Sequence, residues 1–237
     1  MNKLFILSGA SGAGKSTLMD RLVKSGDCNA VIKYSERFSY STVDDICTVK
    51  DINNPELQCD MVYTMYGNKY GFNSKMISKQ LHEGNLMLIT NDKLTIAKLK
   101  EDFPQQVVTI FIVSDINKRL LRNIYINRHG FPSIKNIENS LKDQLNFAQK
   151  MILQDDGEKF IQCMETIYDL VDNIILQEEE FRLRLYSVNH QDELYSSGLF
   201  IYDYTVLNLY TNEVTAIHAT NSAFEQLKKI IYKETEK

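Results

Sequence analysis

The residues Ser8-Gly9-Ala10-Ser11-Gly12-Ala13-Gly14-Lys15-Ser16-Thr17 carry the densest chemistry in the chain. Gly9 to Ser16 fill the pattern GxxxxGK[ST], which gains meaning only between a strand and a helix. Glycines let successive backbone N–H groups converge on phosphate oxygens without Cβ clashes. A helix opening directly behind them adds its N-terminal dipole to the same charge. In such a loop Lys15 would lie at the β and γ phosphates and the Ser16 hydroxyl on Mg²⁺, with Gly9, Ser11, Gly12, Ala13, Gly14 and Thr17 completing the cradle. Phosphate binding follows from this stretch; catalysis requires a second substrate.

The elements around the loop fit that context. Lys3 to Leu7 is apolar and β-prone, and Leu18 to Val23 reads as a helix that Lys24-Ser25-Gly26 should stop. Ala30 to Tyr34, Leu86 to Thr90 and Gln106 to Ser114 read as buried strands, the last β-branched almost throughout. Helical stretches at Lys75 to His82, closed by Gly84, and Leu94 to Leu99 separate them. The alternation predicts an α/β fold with a parallel sheet covered by helices. Tyr66 to Asn73 sets two glycines among aromatics, which suits a tight excursion beside a flat ligand or an aromatic-packed hairpin.

Further on, Ile116 to Asn127 reads as a helix with Lys118, Arg119 and Arg122, followed by Arg128 before His129-Gly130. Ile137 to Met151 is a second amphipathic helix. This helical pair is either a closing phosphate lid or a solvated surface. From Phe160 the character changes. Tyr168 to Leu176 reads as a last sheet strand, and the alternation of Phe181 to Tyr186 as a half-exposed one. Phe200 to Tyr210 and Glu213 to His218 suggest a hairpin, and Phe224 to Tyr232 a closing helix. Residues 180–220 thus read as an appended antiparallel β element, a surface for self-association or for a protein partner.

Composition narrows the function classes. A net charge of −4 without basic blocks argues against a duplex nucleic-acid footprint. Four cysteines lack CxxC spacing and four histidines are scattered, so a structural metal site is not expected. The thiols suit a reducing, cytoplasmic compartment, and no apolar run is long enough for a membrane span.

On these residues the chain resembles the guanylate kinase family of P-loop nucleoside monophosphate kinases, over about residues 3 to 176. Gly67-Asn68-Lys69-Tyr70-Gly71 matches the family's glycine, asparagine, aromatic, tyrosine, glycine stretch apart from Lys69. The resemblance implies that Tyr70 bonds the acceptor phosphate. The strand leading to the family's guanine-contacting aspartate matches Leu88 to Asp92, which assigns that role to Asp92. Arg128 with Gly130 matches the arginine that opens the lid turn, and Arg37 one of two arginines clamping the acceptor phosphate. Other positions depart from the pattern. The family's glutamate falls on Met61, with Asp60 beside it pointing elsewhere, and its guanine-reading hydroxyl falls on Phe72. The second clamp arginine lands on Tyr40 and the second lid arginine near Ser140, with Lys142 close by.

The resemblance implies a P-loop NTPase fold with a helical lid, using ATP and Mg²⁺. Residues 1–178 would form the kinase domain, with the acceptor-binding part at about 31–85 and the lid at about 116–155; residues 179–237 would form the appended strands and closing helix. The expected reaction is phosphoryl transfer from ATP to a nucleoside monophosphate, a GMP-like acceptor first, with Lys15, Arg128 and Arg37 as catalytic residues. The alternatives are a kinase for another nucleotide or a sugar phosphate, and an inactive protein-binding module. A missing glutamate and hydroxyl bear on that choice, because each donor on the guanine N1/N2 edge needs an acceptor.

Overall fold

The computed structural model describes residues 1–36, 46–115, 134–154, 157–196, 201–210 and 213–237. The fold is built on β1 (Leu4–Gly9), whose six residues are all buried. Burial on both faces explains why its sequence is an unbroken apolar run rather than an alternation. Glycine turns at its end lead into α1 (Lys15–Lys24), capped at the N-terminus by Gly14 in the left-handed region.

Around β1 lies a parallel sheet in the order β2 (Asn29–Ala30), β7 (Leu86–Ile89), β1, β8 (Val107–Val113), β9 (Tyr204–Leu207). Phe5 and Leu7 face α1 and the last helix, α7 (Glu213–Thr235), through Leu18, Leu22, Leu227 and Ile231. Leu4 and Ile6 face the opposite way, toward α2 (Ser74–Glu83) and α3 (Lys93–Asp102), through Ile77, Leu81, Ile96 and Leu99. Successive residues of one strand thus feed two separate cores.

A second, mixed sheet in the order β4 (Ile46–Thr48), β3 (Lys33–Ser35), β6 (Asn68–Phe72), β5 (Met61–Met65) packs on the α2/α3 side. Of the two readings open for Tyr66 to Asn73, the hairpin is found. Tyr66 and Gly67 both have positive φ, 52° and 78°, as a two-residue primed turn requires. The parallel sheet, its helical cover and an additional β element agree with the expected class, but that element is the mixed sheet at residues 33–72.

The strands expected over residues 168–220 are corrected. α4 (Ile134–Leu153) matches the predicted second amphipathic helix, but it is followed by α5 (Gly157–Asn189), a single helix of 33 residues, and the short α6 (Gln191–Tyr195). Tyr168 to Leu176 and Phe181 to Tyr186 lie within α5. Six alternating residues satisfy both periods. Over a longer window Phe181, Arg184, Leu185 and Val188 fall at i, i+3, i+4 and i+7, and packing on Ala10 and Tyr210 selects the helix. The expected hairpin is absent too: β9 joins β8 in parallel, and Glu213 to His218 begins α7. There Ala216, Ala219, Ala223 and Leu227 run along one helical face. The predicted helix Ile116 to Asn127 lies outside the described residues. No helix among the described residues is long and apolar enough to cross a membrane, and all four cysteines are free.

Candidate functional site

The bend between β1 and α1 is held from every side. Gly9 has φ +141°, and a Cβ there would stand 2.4 Å from the Ile112 carbonyl oxygen on β8, so no other residue fits without parting the two strands. Asn91, just beyond β7, grips Gly9 twice: its Oδ1 accepts from the Gly9 amide and its Nδ2 donates to the Gly9 carbonyl, both at 2.8 Å. Lys15 folds back over the loop and donates to the Gly9 and Ala10 carbonyls at 2.7 Å each. The Tyr210 hydroxyl donates to the Gly12 carbonyl.

Asn208, following β9 and fully buried, donates from Nδ2 to the Ala13 carbonyl at 2.9 Å. With that carbonyl fixed, the Gly14 N–H on the same trans peptide turns the opposite way. Gly14 has φ +84°, and a Cβ on it would meet Asn208 Nδ2 at 2.5 Å. The Gly9, Ala10, Gly12 and Ala13 carbonyls are therefore taken up by the protein, and the loop's remaining amides join those of the first turn of α1, which a helix leaves without intrahelical partners. That arrangement suits an anion.

Arg184, from α5, is the functional candidate that the sequence did not reveal. It is 9% exposed. Its Nη1 donates to Ser11 Oγ at 3.1 Å, its Nε donates to Glu180 at 3.0 Å, and its guanidinium carbon lies 4.9 Å from the centre of the Tyr66 ring. Burial alone would lower its pKa; the charge and hydrogen bonds of Glu180 more than offset this, and the net shift is upward. The guanidinium thus stays charged between the glycine loop and the β5–β6 hairpin. Nearby, Ser187 Oγ accepts from the Ser11 amide at 3.2 Å. The only sequence signal for Arg184 was its place in the helical repeat of α5, hidden by the local alternation.

The remaining expected residues divide. Tyr70 lies buried on β6, stacked on Tyr63 with ring centres 5.4 Å apart. Asp92 caps α3, its Oδ2 accepting from the Thr95 amide at 2.7 Å. Asp60 does point elsewhere, accepting from the Ser74 amide at the start of α2. Met61 and Phe72 pair across β5 and β6 and are 4% and 0% exposed in the core beneath α2 and α3. Arg37, Tyr40, Arg119, Arg122 and Arg128 lie outside the described residues.

Strand, glycine loop and helix on a parallel sheet, with a second sheet beside them, define an α/β P-loop fold. No family model matches the chain. Within that class it is distantly similar to guanylate kinases. It is 29% identical to the guanylate kinase of Bartonella henselae over 141 residues, which is 56% of this chain and 64% of the relative. The chain thus spans less than two thirds of the length of that relative. With the guanylate kinase of Lactobacillus acidophilus it shares 26% over 187 residues, 72% of this chain and 85% of the relative. The crystal structure of guanylate kinase from Anaplasma phagocytophilum superimposes with a TM-score of 0.52 at 15% identity, covering 100% of this chain and 87% of that one, a likeness of fold.

Proposed function

We propose that this chain transfers a phosphoryl group from ATP to a small phosphorylated acceptor, a nucleoside monophosphate. The observation that carries the reading is the meeting of two cations from opposite ends of the chain on one glycine loop: Lys15 on the Gly9 and Ala10 carbonyls and Arg184 on Ser11 Oγ. Phosphoryl transfer needs aligned oxygens and neutralised charge rather than covalent help from the protein. Gly9 and Ser11 to Thr17 would hold the triphosphate, and Lys15 would leave its carbonyl partners for the phosphate oxygens.

For Mg²⁺ the donor set fits as well. No group of three or more His, Cys, Asp or Glu side chains that could hold a metal occurs among the described residues. Mg²⁺ in kinase sites is carried by phosphates, waters and one or two protein oxygens, a role open to Ser16. When bound, the ion would neutralise charge on the transferring phosphate. Across the site Tyr70 and Arg37 would hold the acceptor phosphate, Asp92 would contact its ring, and Arg128 would close from the lid.

The test is ADP release measured with ATP, Mg²⁺ and a panel of acceptors: GMP, AMP, UMP, CMP, dTMP and sugar phosphates. One acceptor should stimulate release, and Lys15→Ala should abolish it while the protein still melts cooperatively. ATP binding without stimulation by any acceptor would sink the kinase reading and favour a protein-binding module.

A further inference from the structure

The helices α4 and α5 carry apolar residues that their packing on each other does not use. α4 ends at Leu153 and α5 begins at Gly157, and helices so closely joined run antiparallel. Their contact line is marked by Ala148, Met151 and Cys163, all buried, with the Cys163 thiol donating to the Gln144 carbonyl at 3.1 Å. At about 100° per residue, Leu145 and Ile152 lie roughly a quarter-turn round α4 from that line. In α5 the same reckoning puts Ile161, Met164, Tyr168 and Val171 about 80–160° round, in the same sense of rising residue number. Antiparallel neighbours turn flanks of the same sense to one side, so both stripes lie on a single face of the pair. The α5 stripe repeats at i, i+3, i+7 and i+10, the heptad spacing of helices that pack on other helices. Leu145, Ile152, Ile161 and Tyr168 are 56% to 65% exposed and Val171 38%.

We propose that a second copy of this chain docks on that face, the two helical pairs closing into a four-helix bundle. The six side chains offer roughly 500–600 Å² of apolar surface, more than isolated surface residues account for. A standard interface covers about 800 Å² per partner and is somewhat over half apolar, so the stripe supplies what one side of a stable dimer needs. A two-fold interface sets a patch against its own copy. All six side chains are uncharged, so no like charges meet when it does. A lipid surface fits less well. Between residues 139 and 171 three lysines stand against six acidic residues, whereas helices that lie on anionic bilayers carry a basic polar face.

The test is equilibrium ultracentrifugation of the intact chain from about 1 to about 100 μM, since interfaces of this size bind at micromolar or tighter. The mass should approach twice 27.4 kDa at the upper end. Ile161→Glu and Tyr168→Glu should each weaken association at least about 30-fold, as for residues central to an interface, with the helical circular dichroism retained. Tyr168→Ser, which only removes contact area, should shift the equilibrium in the same direction. Ile217→Glu, at an equally exposed apolar position on α7, should leave the dissociation constant within about threefold. A monomer throughout the range, or a dimer that the substitutions at Ile161 and Tyr168 leave intact, overturns the proposal. A monomer that sediments with phosphatidylserine vesicles assigns the face to lipid and overturns it as well.

Discussion

Arg184 offers the sharpest separation of structural from chemical work. Its side chain is 11% exposed and that of Glu180 19%, so replacing Arg184 by Ala takes the cation away from a carboxylate in a poorly hydrated place. Breaking a buried ion pair costs about 3–5 kcal/mol, and the residual exposure of Glu180 puts this site at or below the low end, about 2–3 kcal/mol. For a chain of this length that lowers Tm by roughly 4–12 °C. The double variant Arg184→Ala/Glu180→Gln removes the uncompensated charge as well and should recover most of the loss. If the guanidinium beside Ser11 neutralises charge on the transferring phosphate, kcat will not recover with it. One preorganised donor to a transition-state oxygen is worth about 3 kcal/mol, roughly 100- to 200-fold in rate. Melting curves and ADP release on the same samples read the two effects apart. A double variant with wild-type Tm and wild-type kcat would refute the chemical role and leave Arg184 as a strut.

Two other perturbations test the frame around the loop. Gly9→Ala combines a positive φ with a Cβ 2.4 Å from a backbone oxygen, so urea unfolding should show a loss of at least ~3 kcal/mol, against about 1 kcal/mol for Gly26→Ala, where nothing lies within 4 Å. Glu234 should govern part of the acid limb of stability. Burial pushes its pKa up, but hydrogen bonds from Lys237 and the Tyr204 hydroxyl, together with the charges of Lys237 and Lys3, bring it net below the ordinary value. A carboxylate lowered on folding stabilises the protein above its unfolded pKa, and that contribution is lost as pH falls below about 4.5. Thermal melts of Glu234→Gln from pH 7 to pH 3 should therefore show a shallower acid decline than the wild type.

How far the sequence could be read depended on the range of the interactions involved. The glycine loop, β1, α1, β7 and β8 were legible because each is decided within a few residues, by glycine placement or by an apolar run. The region after Phe160 was not. Phe181 to Tyr186 alternates over six residues, and only the distant partners Ala10 and Tyr210 decide between strand and helix. Tyr204 to Leu207 has strand character, but its partner is the parallel β8 rather than a hairpin mate in the following residues. Of the residues proposed for the site, Lys15, Ser16, Tyr70 and Asp92 could be named from motif and order. Arg184 and Asn208 could not, because their positions on the loop follow from tertiary register.

The same distances bear on how the loop is made competent. Its fixed carbonyls depend on Asn91, Tyr210 and Asn208, and its Ser11 on Ser187 and Arg184, at separations of 82 to 198 positions. A glycine-rich stretch gains little order from its own side chains beyond the Lys15 contacts and loses more backbone entropy than any other when fixed. The ordering must come from these partners, and apart from Asn91 beyond β7 they become available only when β9 has paired with β8 and α5 has packed on Ala10. Nucleotide affinity should therefore be lost together with the docking of the C-terminal third, even though the phosphate-binding motif lies wholly within the first 17 residues.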